Sequence, residues 1–226
     1  MKKCIAALFL SLSFAFSAFA QVPGGPGGRH GRYPGGGYRD RVPAYGYQMP
    51  VSVGTRIGLN ISSLSSEAPA LDGRIPSGNF LAGLSLCIPV SPSFDIESGL
   101  YYIGKGGRCG SGDSRFTYDL DYIELPLEIR YDYFLSPFFA VRPLLGVYGA
   151  VGVGGKIRNY QAREAFSSYS DGYFRRWDAG LRIGCGLASS IVRLDLVYDL
   201  GLANVGQDTF DETRTGCLML MFGFDF

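Results

Sequence analysis

Asp121-Tyr-Ile-Glu-Leu-Pro-Leu-Glu-Ile-Arg-Tyr-Asp-Tyr133 sorts its side chains by parity. Ile123, Leu125, Leu127, Ile129, Tyr131 and Tyr133 take the odd positions, and Tyr122, Glu124, Pro126, Glu128, Arg130 and Asp132 the even ones. Successive side chains of a strand point to opposite faces, so this strand has one greasy face and one charged face. A helical stripe does not fit the pattern. If the greasy face turns inward, the protein is a water-soluble sheet. If it turns outward, its solvent is lipid. Pro126 is discordant, because proline cannot donate to a ladder and is normally confined to edges or bulges. A bulge or a missing ladder bond is therefore expected there.

The same alternation recurs along the chain. Val51 to Ile61 alternates with Ser52, Gly54, Arg56, Gly58 and Asn60, and Phe80 to Ile88 with Leu81, Gly83, Ser85 and Cys87. Phe94, Ile96, Leu100 and Tyr102 oppose Asp95, Glu97 and Gly99. After the opening stretch come Phe139 to Val153, Trp177 to Leu187, Val192 to Leu200 and Leu218 to Phe226. This makes eight strands. Their connections alternate too: short around Pro92, around Pro137 and at Ser189-Ser190, long at roughly 62–78, 104–116, 155–173 and 203–214. An even strand number with short turns at one end and long loops at the other is the arrangement of bacterial outer-membrane barrels, whose short turns are periplasmic.

The polar parity decides which face is inside. It carries Arg56, Asp95, Glu97, Glu124, Glu128, Arg130, Arg142, Asp178, Arg182, Arg193, Asp195 and Asp199, interspersed with glycines. Charges of both signs beside small residues suit a narrow lumen that side chains can fill. Arg56, Glu97, Glu124, Glu128, Arg130, Arg142, Arg182, Arg193 and Asp195 are expected to form an interior charge network. A soluble barrel of this pattern would bury arginines in an apolar cavity or expose its leucines to water. A closed barrel in lipid does neither, and pairs every backbone polar group. The expected fold is all-β, an eight-stranded antiparallel up-and-down transmembrane β-barrel with a polar filled interior and a lipid-facing exterior.

Aromatics gather at both ends. Phe94, Tyr131, Tyr133, Phe134, Phe138, Phe139, Phe224 and Phe226 fall at the short-turn end, and Tyr102, Tyr173, Phe174 and Trp177 near the long-loop end. This is the two-girdle pattern, with Tyr131, Tyr133, Phe138, Phe139, Trp177, Phe224 and Phe226 as its chief members. The terminal strand ends on Phe226, which resembles the signal read by outer-membrane assembly machinery.

Before the barrel, Lys2 and Lys3, the apolar run Ile5 to Phe16 and Ala18-Phe19-Ala20 read as a secretory signal over 1–20. The Gly/Pro-rich stretch 21–50 has too little apolar surface to offset ordering entropy and reads as a flexible periplasmic arm. The barrel domain is expected over 51–226, in the outer membrane of a Gram-negative bacterium with its termini in the periplasm. The arm's Arg29, Arg32, Arg39 and Arg41 interleave with tyrosine, but a solvated tether suits an exported chain better than nucleic-acid binding. A net charge of +1 implies no pull toward nucleic acid. Export permits disulfides. Yet Cys87 and Cys217 share one face while Cys185 lies on the other, which argues against a complete two-disulfide framework with Cys109.

Gly58-Leu-Asn-Ile-Ser-Ser-Leu64, Ile96-Glu-Ser-Gly-Leu-Tyr-Tyr-Ile-Gly-Lys-Gly106, Asp121-Tyr-Ile-Glu-Leu-Pro-Leu127, Arg176-Trp-Asp-Ala-Gly-Leu181 and Tyr198-Asp-Leu-Gly-Leu-Ala-Asn204 follow one another in an order that resembles the PorT-like outer-membrane β-barrel family. The resemblance covers about 51–226 and implies an eight-stranded outer-membrane barrel. It implies little about activity, because the eponymous member serves a protein-secretion system and most members have no assigned role.

Catalytic signals are weak. His30, in the arm, is the only histidine, and rim enzymes of small barrels need a base titrating near neutral pH. Gly104-Lys-Gly-Gly-Arg-Cys-Gly110 lacks phosphate-loop spacing and reads as a flexible outer loop. Gly149 to Gly155 lacks the strand-turn-helix context of a dinucleotide site. Glu124 and Glu128 are about 13 Å apart on one strand, which suits pairing with inward arginines better than acid–base work. Asp208, Asp211 and Glu212 read as a solvated loop rather than a calcium site. The expected function is non-enzymatic and without cofactor or metal: an envelope structural, adhesion or secretion-accessory role through loops or arm, with a small pore and a rim enzyme as alternatives. Its expected partners are outer-membrane lipid, the assembly machinery through Phe226, and an envelope protein; the barrel itself is expected to be a monomer.

Overall fold

The structure is a computed structural model that describes residues 51–66, 75–109, 116–136, 139–159, 164–169, 173–189, 191–207 and 213–226. The signal, the arm, Phe138, Asp208, Asp211 and Glu212 lie outside the described residues. Strands are β1 (Ser52–Ser66), β2 (Ile75–Ser91), β3 (Phe94–Cys109), β4 (Phe116–Tyr131), β5 (Tyr133–Ser136), β6 (Phe139–Gly154), β7 (Lys156–Asn159), β8 (Glu164–Ser167), β9 (Trp177–Ser189), β10 (Val192–Gly201) and β11 (Thr213–Asp225).

All pairings between them are antiparallel, and the ring β1-β2-β3-β4-β6-β9-β10-β11 closes on itself through β1 and β11. Eight strands thus make a closed barrel. The closing seam runs in register from Gly54–Asp225 to Ser66–Thr213, and Val53 and Phe226 add two more backbone bonds below it. The short strands extend the wall. β5 continues β4 beyond Asp132, β7 continues β6 beyond Gly155, and β8 folds back on β7.

Burial follows parity. Along β1, Arg56 and Asn60 are buried while Ile57 is 61% and Leu59 69% exposed, an exposure of large apolar side chains that only lipid can solvate. Leu84, Leu100, Ile129, Leu145, Ile183 and Leu196 continue the outer belt around the ring.

Prolines account for two ladder gaps. Asp132 donates its backbone N–H to Ser93 at 2.8 Å, which fixes the phase of bonding pairs between β3 and β4. Two-residue steps from there put Pro126 opposite Gly99 at a bonding position. The register runs from Ser98–Leu127 to Tyr101–Glu124 without a slip, but Gly99–Pro126 and Leu100–Leu125 drop out of the ladder. The ladder bond is missing, and there is no bulge. The Ser98 hydroxyl donates to the Pro126 carbonyl at 2.8 Å instead, and on the β6 side Pro126 pairs regularly with Tyr148. The opening stretch is also not one continuous strand. It breaks at Asp132, where the missing N–H of Pro143 falls between the Arg130–Leu144 and Tyr133–Val141 pairs.

The long connections are shorter than their sequence suggests. β1 runs to Ser66, β3 to Cys109 and β4 starts at Phe116, while the β7–β8 hairpin occupies much of 155–173. Gly104 to Cys109 is therefore strand rather than flexible loop. Past the lipid belt both faces of a strand meet polar surroundings, so side-chain alternation fades while the backbone ladder continues.

Candidate functional site

The inward faces of six strands converge on one ion-pair network. Arg193 of β10 bridges Glu97 and Asp225. Arg56 of β1 bridges Glu97 at 3.2 Å and Asp225 at 2.7 Å, with Asp195 at 3.9 Å. Arg130 of β4 meets Glu97 at 3.1 Å, Glu128 at 2.9 Å and Asp195 at 3.0 Å. Arg182 of β9 takes Glu124, Glu128 at 3.1 Å and Asp199 at 2.6 Å. Because Glu97, Glu128 and Glu124 are each shared, the chain of charge is continuous across the lumen. Arg142 stands beside it, between Asp95 and Asp132 near the short-turn end.

Thus Arg56, Glu97, Glu124, Glu128, Arg130, Arg182, Arg193 and Asp195 are brought together, and Arg142 forms its own cluster. All are buried. Sequence reasoning missed two members, Asp225 at the barrel seam and, deeper in the lumen, Lys105. Lys105 is 2% exposed and lies 3.1 Å from both Glu124 and Asp178. Its ammonium also sits 4.5 Å from the ring centroid of Tyr148 and 5.4 Å from that of Tyr122. The signal for it was parity, since Glu97, Tyr101, Ile103 and Lys105 all take the inward odd positions of β3. The Tyr148 hydroxyl and Thr215 complete the cluster around Asp178, with Thr215 donating at 2.8 Å.

Toward the long-connection end the filling turns aromatic. Tyr118, Leu120, Tyr122, Tyr169, Phe174 and Val205 are buried together. Tyr169 folds back from the turn after β8 onto Tyr122, with ring centroids 6.0 Å apart, and Tyr118 meets Phe174 at 5.9 Å. Gly152 makes room for this, because a Cβ there would lie 2.2 Å from the Tyr169 ring. Phe174 therefore belongs to the plug and not to the girdle. Tyr173 packs on Phe166 at 4.8 Å. On the outer face Tyr131, Tyr133, Phe139, Phe224 and Phe226 are exposed at the short-turn end, as are Tyr102 and Trp177 at the other.

The void lined by Leu81, Tyr101, Glu124, Arg182 and Met219 is too small for a water molecule. Among the described residues there is no cluster of three or more potential metal ligands. Cys87 and Cys217 are buried inside, Cys185 faces outward, and all three are free thiols.

A closed barrel with apolar exterior and charged interior is one part of the assignment, and sequence comparison supplies the other. Residues 42–207 match the family model described as outer membrane protein beta-barrel domain. The chain belongs to this family. The matched residues stop short of β11, the strand that closes this outer-membrane barrel against β1. No curated protein sequence matches the chain. Similar solved structures include the attachment invasion locus protein Ail of Yersinia pestis, at 15% identity over 79% of this chain and 100% of that one with a TM-score of 0.44. Neisserial surface protein A gives 16% over 77% and 97% with 0.47, and OprG of Pseudomonas aeruginosa 12% over 77% and 95% with 0.46. Such likeness concerns fold and says nothing of activity.

Proposed function

We propose that this outer-membrane barrel is non-enzymatic and acts at its two ends rather than through its lumen, in an envelope structural, adhesion or secretion-accessory role. The single observation that carries this reading is the filled interior. Guanidinium and carboxylate groups bridge the lumen from wall to wall, and the aromatic cluster closes one end above them. An interior of this kind cannot pass a hydrated solute without breaking buried ion pairs, each a step of several kcal/mol. Interaction is then left to the connections and to the arm at 21–50.

The alternation of short and long connections supports an orientation with the short turns, both barrel termini and the arm in the periplasm. In this reading residues 1–20 are a signal cleaved after Ala20, 51–226 form the barrel domain, and the strand ending in Phe226 engages the assembly machinery. The resemblance to PorT-like barrels favours the secretion-accessory form of the role. The charge network and the girdle of Tyr131, Tyr133, Phe138, Phe139, Trp177, Phe224 and Phe226 serve seating and sealing.

Planar-bilayer recording of the purified full chain tests the sealed lumen. No stable single-channel current is expected, and large, long-lived openings would replace this reading with transport. Crosslinking in intact envelopes, with the 21–50 arm present and deleted, should capture an envelope protein that is lost with the arm or with the long connections.

A further inference from the structure

On the outer face of β4 the apolar series Tyr131, Ile129, Leu127, Leu125, Ile123 ends at Asp121. The next outward positions are Asp119 and Thr117. Thr117 is paired on one side with Arg108 of β3 and on the other with Arg158 of β7. Strands lie about 4.8 Å apart, so the two arginine Cα atoms stand about 10 Å apart across Thr117. Both arginines are exposed, and so is Lys156, two residues before Arg158 on the same face. This row holds two guanidiniums and no carboxylate. Asp119 sits one step closer to the belt and takes a bond from Arg158 at 3.1 Å. Between the arginines the Thr117 hydroxyl oxygen is buried with no hydrogen-bond partner.

We infer that Arg108, Thr117 and Arg158, with Lys156 beside them, form a site for the phosphate of an anionic lipid headgroup in the leaflet at the long-connection end. The height is the main argument. Thr117 lies three outward positions past Ile123, the last apolar residue on the outer face of β4, or about 15 Å of height, where headgroups and not acyl chains meet the wall. Chemistry is the second. Guanidinium forks match phosphate oxygens in paired hydrogen bonds, and Thr117 offers a hydroxyl donor between them. Rigidity is the third, because ladder pairing fixes the spacing before any lipid arrives. The leaflet is the outer one only under the orientation proposed above.

The test uses the folded full chain in detergent, titrated with bisphosphorylated lipid A and with the same acylated disaccharide lacking both phosphates. Binding is read by native mass spectrometry. The phosphorylated form should bind about tenfold or more tightly, and each arginine neutralised should cost about fivefold. R108Q/R158Q should abolish the preference, R108K/R158K should keep most of it, and R214Q on β11 should leave it intact. If the double glutamine variant lacks the unboiled-gel shift of a folded barrel, the R108Q single variant carries the test. Equal affinity for the two lipids would overturn the proposal. Persistence of the preference in the glutamine variants, or an equal loss with R214Q, would do the same. Displacement of lipid A by millimolar inorganic phosphate would mean a site for free phosphate and not for a headgroup. Orientation is checked separately by an epitope inserted after Tyr160. Labelling on intact cells is expected; labelling only after permeabilisation would overturn the outer-leaflet assignment whatever the lipid result.

Discussion

Glu97 holds three guanidiniums at once, those of Arg56, Arg130 and Arg193, in a site where its own exposure is 1%. A buried ion pair is not in itself a source of net stability, since desolvation offsets much of the attraction. Removing one partner is different, because the remaining charges stay buried without compensation. Glu97→Gln should therefore lower unfolding stability in lipid vesicles by about 3–5 kcal/mol, measured by urea titration. Arg158→Ala, which breaks the half-exposed bridge to Asp119, should change it by less than about 1 kcal/mol. Equal costs for the two would mean that the network carries no special load. Lys105 illustrates the same chemistry from the other side. Its sequence neighbours are glycines, which suggested a loop, yet a Cβ at Gly104 would meet Asn79 and one at Gly106 the Tyr118 carbonyl, so neither glycine is what seats the ammonium beside two tyrosine rings. Residue type alone misled there, and strand parity would have placed it.

At the scale of the strand, Pro126 has a measurable consequence. With no N–H it leaves the Gly99 carbonyl without its ladder donor, and the Gly99–Pro126 and Leu100–Leu125 pairs are lost. The amide of Gly99 should exchange with solvent deuterium faster than that of Tyr101 two residues on. Pro126→Ala should restore the ladder and slow the exchange of Gly99 to the rate of its neighbours. If Gly99 is already as protected as Tyr101, the gap is not a weak point in the wall. The lipid-crossing strands were legible from the sequence because one face meets lipid and the other meets charge, which forces a period of two onto the residues. Their upper ends were not. Thr117, Asp119 and Asp121 are all polar on the outward face, so the alternation that marks β4 below Ile123 disappears above it although pairing with β3 and β7 continues. The aromatic filling was hidden for a related reason. Tyr169 and Phe174 belong to irregular segments, where no periodicity reports which way a side chain turns.

For the whole molecule, the decisive physical quantity is the height of the apolar belt. Along β4 and its continuation β5 it runs from Tyr133 and Tyr131 at one interface to Ile123 at the other, which at about 3.3 Å per residue and a tilt near 40° gives a band of about 25 Å. Leu127 is near its middle and is 52% exposed on the outside. An arginine there must be held in hydrocarbon, whereas one at position 121 lies where the wall already carries charge. Leu127→Arg should cost about 2–4 kcal/mol of unfolding stability in vesicles, and Asp121→Arg no more than about 1 kcal/mol. The difference should shrink in detergent micelles, which deform around a charge more readily than a bilayer. A reversed ranking, with Asp121→Arg the more costly, would shift the belt toward the long-connection end. It would also place the Arg108–Thr117–Arg158 row within hydrocarbon, where the phosphate site inferred for it could not operate.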